Sequence, residues 1–168
     1  SLFVEEFAGK TAIVTGAGSG MGKAFALRWG AEGMNVVIGD IQEDALAATV
    51  AELEAAGVPA VGLRTDVSKL ADIEALADAA EERFGKIHLV NNNAGVEGYL
   101  DGPIWAATES DWTWTVSVNF WSVVYGMRTF VPRMLAHGEP AHVVNTCSMT
   151  SVVAASNMYG ITKHAVLA

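Results

Sequence analysis

Tyr159 and Lys163 stand four positions apart, so on a helix they share one face. An ammonium beside a phenol favours the phenolate. A tyrosine so placed can exchange a proton near neutrality, where an isolated one is too weak an acid. By itself this spacing is common by chance and describes two solvated helix residues equally well. It gains weight from a second group near the start of the chain. Thr15-Gly16-Ala17-Gly18-Ser19-Gly20-Met21-Gly22 crowds four glycines into one short stretch. A turn of this kind points backbone N–H groups and the positive end of a helix dipole at one spot, where a pyrophosphate can sit. A Cβ there would block the close approach of the phosphate. The plain alternative is a tight strand-to-helix turn without a ligand. Asp40 follows Gly22 by eighteen positions, about the spacing of a ribose-binding acid in a nucleotide fold, although an Asp there also suits a helix N-cap.

These residues need elements to hold them. Ala12-Ile13-Val14 reads as a buried strand before the glycine turn, and Lys23–Trp29 continues from it as a helix. Asn35–Asp40 is a second strand ending in the carboxylate. Gln42 to Ala56 carries Leu46, Val50 and Leu53 at helical spacing, and Gly57-Val58-Pro59 stops it. Ala60–Arg64 is a third strand, followed by Asp66-Val67-Ser68, where Asp66 or Ser68 can cap the helix Leu70–Phe84. That helix turns Ile73, Leu76, Ala77 and Ala80 inward and Glu74, Asp78, Glu81 and Glu82 largely outward, a solvated face rather than a metal site. Ile87–Val90 is a fourth strand running into Asn91-Asn92-Asn93-Ala94-Gly95. A loop over Val96–Ala107 precedes a long helical region from Thr108 to Leu135. Trp105, Trp112, Trp114 and Trp121 cluster here, a density that fits a core or subunit interface, with Trp105 the exception nearest a substrate. His142–Thr146 is the fifth strand, and the last helix begins around Asn157.

Strands alternating with helices predict one domain over 1–168: a Rossmann-like, doubly wound parallel sheet in three α/β/α layers. Ligands of such sheets bind beyond the C-terminal ends of the strands. Gly16–Gly22, Asp40, Asp66 and Asn91–Gly95 all follow strands, so all fall on that one edge.

The totals narrow the classes. Among 168 residues, 51% are hydrophobic and the formal net charge is −9. The pI is near 4.8. Such acidity argues against non-specific nucleic-acid or anionic-membrane binding. Cys147 is the one cysteine, which rules out an internal disulfide framework and fits a reducing cytoplasm. No apolar run reaches membrane-spanning length, and Ser1–Phe7 lacks the basic start of a signal peptide.

With these residues assembled, the sequence resembles the short-chain dehydrogenase/reductase family. The matching segments are Thr15–Gly22, Asp66-Val67, Asn92-Asn93-Ala94-Gly95, Val118-Asn119, Ser148 and Tyr159-x-x-x-Lys163, in family order. The resemblance implies that Tyr159 exchanges the proton with a substrate hydroxyl or carbonyl and that Ser148 hydrogen-bonds that oxygen. Lys163 would bind the nicotinamide ribose, and Asn119 would hold a water that relays protons. Gly16, Ser19, Gly20, Met21 and Gly22 would wrap the pyrophosphate. Asp40 and Ile41 would lie at the adenosine ribose, Asp66 and Val67 at the adenine, and Asn93, Ala94 and Gly95 along the sheet edge. The expected cofactor is NAD rather than NADP, because Asp40 repels a 2′-phosphate and no Arg or Lys at Ile41, Gln42 or in the glycine turn offsets it. The expected substrate is a small alcohol or ketone, the metal complement none, and the assembly a homodimer or homotetramer.

Two departures stand out. Ser148 precedes Tyr159 by eleven positions, fewer than is usual in the family, so the intervening loop is tight and Ser151 is a rival to Ser148. The chain also stops five residues after Lys163. The resemblance implies a natural protein that continues with at least one more parallel strand and a substrate-covering loop, and a final helix packed in a subunit interface. The competing function is a non-catalytic NAD-binding sensor or scaffold, against which the set Asn119, Ser148, Tyr159 and Lys163 speaks. A methyltransferase-like glycine loop explains neither Tyr159 and Lys163 nor Asn93-Ala94-Gly95.

Overall fold

A computed structural model describes residues 6–153 and 157–168. The start of the segment read for a leader, residues 1–5, and residues 154–156 in the loop from Ser148 to Tyr159 lie outside the described residues.

The apolar runs become five parallel strands: β1 (Thr11–Thr15), β2 (Asn35–Asp40), β3 (Ala60–Arg64), β4 (Leu89–Asn92) and β5 (His142–Asn145). Their order is β3-β2-β1-β4-β5. β1, buried throughout, lies in the middle, with Ile13 level with Val37 on one side and Val90 on the other. Side chains alternate between the two faces of such a sheet, and both faces are covered. Val14, Val36 and Ile38 pack with Ala26, Leu46 and Leu53, which come from α1 (Gly20–Ala31) and α2 (Glu43–Ala55). Ile13, Val37 and Val90 pack on the other face with Ile73, Leu76 and Phe130, from α3 (Leu70–Phe84) and α5 (Ser122–His137). Chain order reverses between β1 and β4, and that switch point is where a doubly wound sheet leaves a crevice.

Several sequence readings shift. The fourth strand begins and ends two residues later than expected, at Leu89–Asn92 rather than Ile87–Val90. Asn91 and Asn92 look like strand-ending polar residues, yet both are buried because each carboxamide has a partner. Trp29 Nε1 donates to Asn91 Oδ1 at 2.9 Å, and Asn92 Nδ2 donates to Asn145 Oδ1 at 2.8 Å. The fifth strand stops at Asn145, before Thr146. The N-cap of α3 is Lys69, with no side-chain bond; Ser68 and Asp66 instead bond to each other.

The long helical region begins as read. Thr108 caps α4 (Glu109–Val116) in a reciprocal box with Asp111. A π-helical turn over Ser117–Trp121 then joins α4 to α5. Such turns often mark functional positions, and this one carries Asn119, which is 1% exposed. Of the four clustered tryptophans, Trp105 is 85%, Trp114 52% and Trp121 44% exposed, so these three do not fill the core. The last helix, α6 (Met158–Leu167), is capped by Asn157, whose Oδ1 accepts the Gly160 N–H at 2.7 Å. It packs against α4 and the π-helical turn. Among the described residues, no helix is long and apolar enough to cross a membrane.

Candidate active site

The glycine turn owes its composition first to the protein itself. Gly16 has φ +67°, a region that disfavours side chains, and a Cβ there would stand 2.8 Å from the Ala94 Cα. A Cβ on Gly22 would stand 2.1 Å from the Gly16 carbonyl oxygen. A Cβ on Gly18 would stand 3.0 Å from the Asp40 carboxylate and from the Ala45 Cβ. Only Gly20 among these four faces open space. The sequence reading laid all of them to phosphate approach; close contacts within the protein account for Gly16 and Gly22 and crowd Gly18.

Helix α1 starts at this turn with Ser19 as N-cap, no side-chain capping bond and no acidic residue in its first turn. Its leading N–H groups are therefore donors without a side-chain acceptor, and the helix dipole adds partial positive charge there. That is the chemistry a pyrophosphate matches, so the residues present fit a dinucleotide. The turn opens into a cleft of about 560 Å³, within the usual range for small-molecule sites. Gly16, Ser19, Met21 and Gly22 form one stretch of its wall, and Asp40, Ile41 and Gln42 the next. Thr65, Asp66, Val67 and Ser68 line it too, as do Asn93 through Val96. Trp114 and Val118 close it from α4 and the π-helical turn. Gly20, Tyr159 and Lys163, expected at the cofactor, are not among the lining residues.

Asp40 does not cap α2, whose N-cap is Gln42. One carboxylate oxygen accepts the Gly18 N–H at 2.8 Å and the other the Gln42 N–H at 2.9 Å. The acid at the ribose position thus also fixes the glycine turn. At Asp66 burial raises the carboxyl pKa, but hydrogen bonds from Ser68 and the Lys69 ammonium prevail and hold it below the ordinary value.

The catalytic candidates gather beyond Gly95. A Cβ on Gly95 would stand 3.3 Å from Asn119 Oδ1 and 3.5 Å from Lys163 Nζ, so this glycine joins the cleft to the second group. Lys163, 3% exposed, donates from Nζ to the Thr146 carbonyl at 2.7 Å and lies 5.6 Å from the centre of the Tyr159 ring. Burial pushes its ammonium below the ordinary lysine pKa, against the opposing pull of Cys147. Asn119 Oδ1 accepts the Val96 N–H at 2.7 Å, and Nδ2 donates to the Val96 carbonyl at 2.8 Å and to Thr162 Oγ1 at 3.0 Å. The side chain that the resemblance assigns to a proton relay is a brace between the β4 loop and α6 in this structure. Ser148 is half-buried, and its Oγ accepts the Thr150 N–H at 3.2 Å. Its rival Ser151 is buried, with Oγ donating to the Lys163 carbonyl at 2.8 Å. Ser151 therefore anchors the turn to α6, which leaves Ser148 as the more accessible hydroxyl.

The sequence counted Thr15 and Val118 only as members of motifs, set Val96 beside the site, assigned Trp114 to a core or interface, and gave Thr65 no role. Thr15 Oγ1 accepts the N–H of Asn93 at 3.0 Å and of Ala94 at 3.2 Å. Asn93 Nδ2 returns a bond to the Thr15 carbonyl at 3.1 Å. No group of three or more His, Cys, Asp or Glu side chains that could hold a metal ion occurs among the described residues.

Comparison with known proteins matches this arrangement. The family model described as short chain dehydrogenase matches residues 10–168. A 1-deoxy-11-beta-hydroxypentalenate dehydrogenase of Streptomyces avermitilis is 42% identical over 160 residues, covering 94% of this chain and 59% of that protein. A cyclohexanol dehydrogenase of an Acinetobacter strain is 36% identical over 159 residues, covering 95% and 62%. The crystal structure of a short chain dehydrogenase/reductase from Burkholderia phymatum in complex with NAD superposes with a TM-score of 0.93 at 47% identity, covering 98% of this chain and 58% of that one. The chain thus spans less than two thirds of the length of each. With residues 10–168 matched and the glycine turn, Asn119, Ser148, Tyr159 and Lys163 in their family order on a doubly wound sheet, the chain belongs to the short-chain dehydrogenase/reductase family.

Proposed function

We propose that the protein is an NAD(H)-dependent oxidoreductase that interconverts a secondary alcohol and its ketone, with NAD preferred over NADP. The observation that carries this reading is the cleft in which the uncapped start of α1 and the carboxylate of Asp40 share one wall, joined through Gly95 to Lys163. When bound, a nicotinamide dinucleotide supplies or accepts the hydride. The residues of the chain bind, orient and manage the proton. Backbone N–H groups from Ser19 to Gly22 hold the diphosphate, and Asp40 and Ile41 receive the adenosine ribose. Asp66 and Val67 border the base, and Asn93, Ala94 and Gly95 form the edge along which the ligand lies. Asp40 disfavours a 2′-phosphate by like charge, with no Arg or Lys at Ile41 or Gln42 to offset it.

At the reacting end, Tyr159 gives or takes the proton at the substrate oxygen and Ser148 hydrogen-bonds that oxygen. Lys163 reaches the nicotinamide ribose and sets a positive charge beside Tyr159, while Asn119 holds Val96 and α6 in register. Met149 and Val152, 78% and 70% exposed beside Ser148, support an apolar substrate, and cyclohexanol is an alcohol of that kind. The shallow apolar groove of Trp112, Val116 and Trp121 supports a homodimer or homotetramer, and the unpaired thiol of Cys147 a cytoplasmic home. The test is a panel of secondary alcohols, cyclohexanol among them, with NAD and with NADP, read as NADH or NADPH absorbance. Alcohol-dependent reduction with NAD at ten times or more the rate with NADP is expected. Binding of NAD with no turnover on any alcohol or ketone would favour the sensor reading instead.

A further inference from the structure

Among the described residues, Trp114 is the one large aromatic side chain in the lining of the cleft. It sits on α4 one helical turn before Val118, so both residues project from the same side of the helical segment. Both face a cleft whose other wall includes Asp66, Val67 and Ser68. The indole is 52% exposed, so about half of its surface is open to a ligand in the cleft. The other described residues of the lining are polar or aliphatic and offer no second planar ring.

We propose that Trp114 is the outer wall of the base pocket, packing against the adenine of a bound adenosine nucleotide. The inference rests on the dinucleotide reading above and adds to it a residue that sets affinity at the adenine end. A base carried by a ribose at Asp40 would lie in the cleft that Asp66, Val67, Val118 and Trp114 line together. An indole offers a planar face that every purine can stack on, so the contact serves ADP, ADP-ribose and NAD alike. It does not depend on the nicotinamide.

The test uses the full chain and its Trp114→Ala and Trp114→Phe variants, titrated calorimetrically with NAD and with ADP-ribose. Trp114→Ala is expected to weaken both ligands by the same factor, at least about fivefold, the range of a lost base–aromatic contact, with Trp114→Phe recovering most of it. ADP, which lacks nicotinamide, is expected to quench the tryptophan emission of the parent protein more than that of Trp114→Phe, a signal that a purely structural role would not move. An ADP-ribose affinity in Trp114→Ala within twofold of the parent overturns the assignment of Trp114 and leaves the dinucleotide reading standing. Failure of the parent protein to bind either ligand overturns both.

Discussion

Thr15 Oγ1 receives two backbone N–H groups from the segment after β4, and Asn93 answers with a bond to the Thr15 carbonyl. One hydroxyl thus ties the glycine turn to the strand across the switch point. Thr15→Val keeps the shape and removes the acceptor, leaving those partly buried N–H groups without their partner. The expected loss is about 2 kcal/mol, read as a melting temperature lower by about 5 °C; an unchanged melting temperature would remove Thr15 from this role. At Tyr159 the expected effect is on chemistry alone. Tyr159→Phe keeps the ring, so kcat should fall by about 10²- to 10⁴-fold while the Kd for NADH stays within about twofold. Near-normal turnover in that variant would end the acid–base assignment. The placement of Asp40 at the end of a strand, and of Tyr159 and Lys163 on one helix, was legible from sequence position. Thr15 and Trp114 were not. A threonine at a strand end and a tryptophan on a helix have many ordinary explanations, and only the register of β1 against β4 or the path of α4 beside the cleft singles them out.

The elements followed the hydrophobic pattern closely, with the differences falling where polar side chains are buried. β4 runs through Asn91 and Asn92 because Trp29 and Asn145 satisfy their carboxamides, a long-range fact that periodicity cannot contain. The π-helical turn that seats Asn119 inside an otherwise regular helical stretch was equally hidden, since no residue in Ser117–Trp121 breaks a helix. At the opposite edge of the sheet, His88 links β1 to the segment before β5. Its Nδ1 accepts the Thr11 N–H at 3.1 Å, so Nε2 carries the proton and donates to Glu139 Oε2 at 2.9 Å. Burial holds the His88 pKa below the ordinary value, although Glu139 pulls it up. Glu139, hydrogen-bonded by Lys86, His88 and Lys10, is lowered to about 2. Both shifts act in the same direction. An unfolded histidine takes a proton as the pH falls through about 6.5 while folded His88 resists it, so stability declines from there downward. The part due to Glu139 is present above the ordinary glutamate range and is lost as the pH falls from it toward 2. His88→Gln can keep both hydrogen bonds without titrating. Its melting temperature should therefore fall less than that of the parent between about pH 7 and pH 5, and parallel curves would show that His88 does not govern the acid side.

As a whole molecule, the chain sets a sheet ordered β3-β2-β1-β4-β5 between two helical layers, with its cleft at the C-terminal edge and the His88–Glu139 group at the other. That architecture, and the edge on which the motifs meet, could be read from alternating strands and helices. The enclosure of the cleft could not, because Val96, Trp114 and Val118 come from a loop and a helix remote in sequence from the glycine turn. On the proposed reading this edge holds an NAD molecule across the switch point, diphosphate on α1 and ribose on Asp40. A crystal structure of the protein grown with NAD tests it most directly. The account predicts the diphosphate within hydrogen-bonding distance of backbone N–H groups between Ser19 and Gly22, the adenosine ribose hydroxyls on the Asp40 carboxylate, and the nicotinamide end beyond Gly95 toward Tyr159. A dinucleotide bound elsewhere, or one whose ribose leaves Asp40 without a contact, would contradict it.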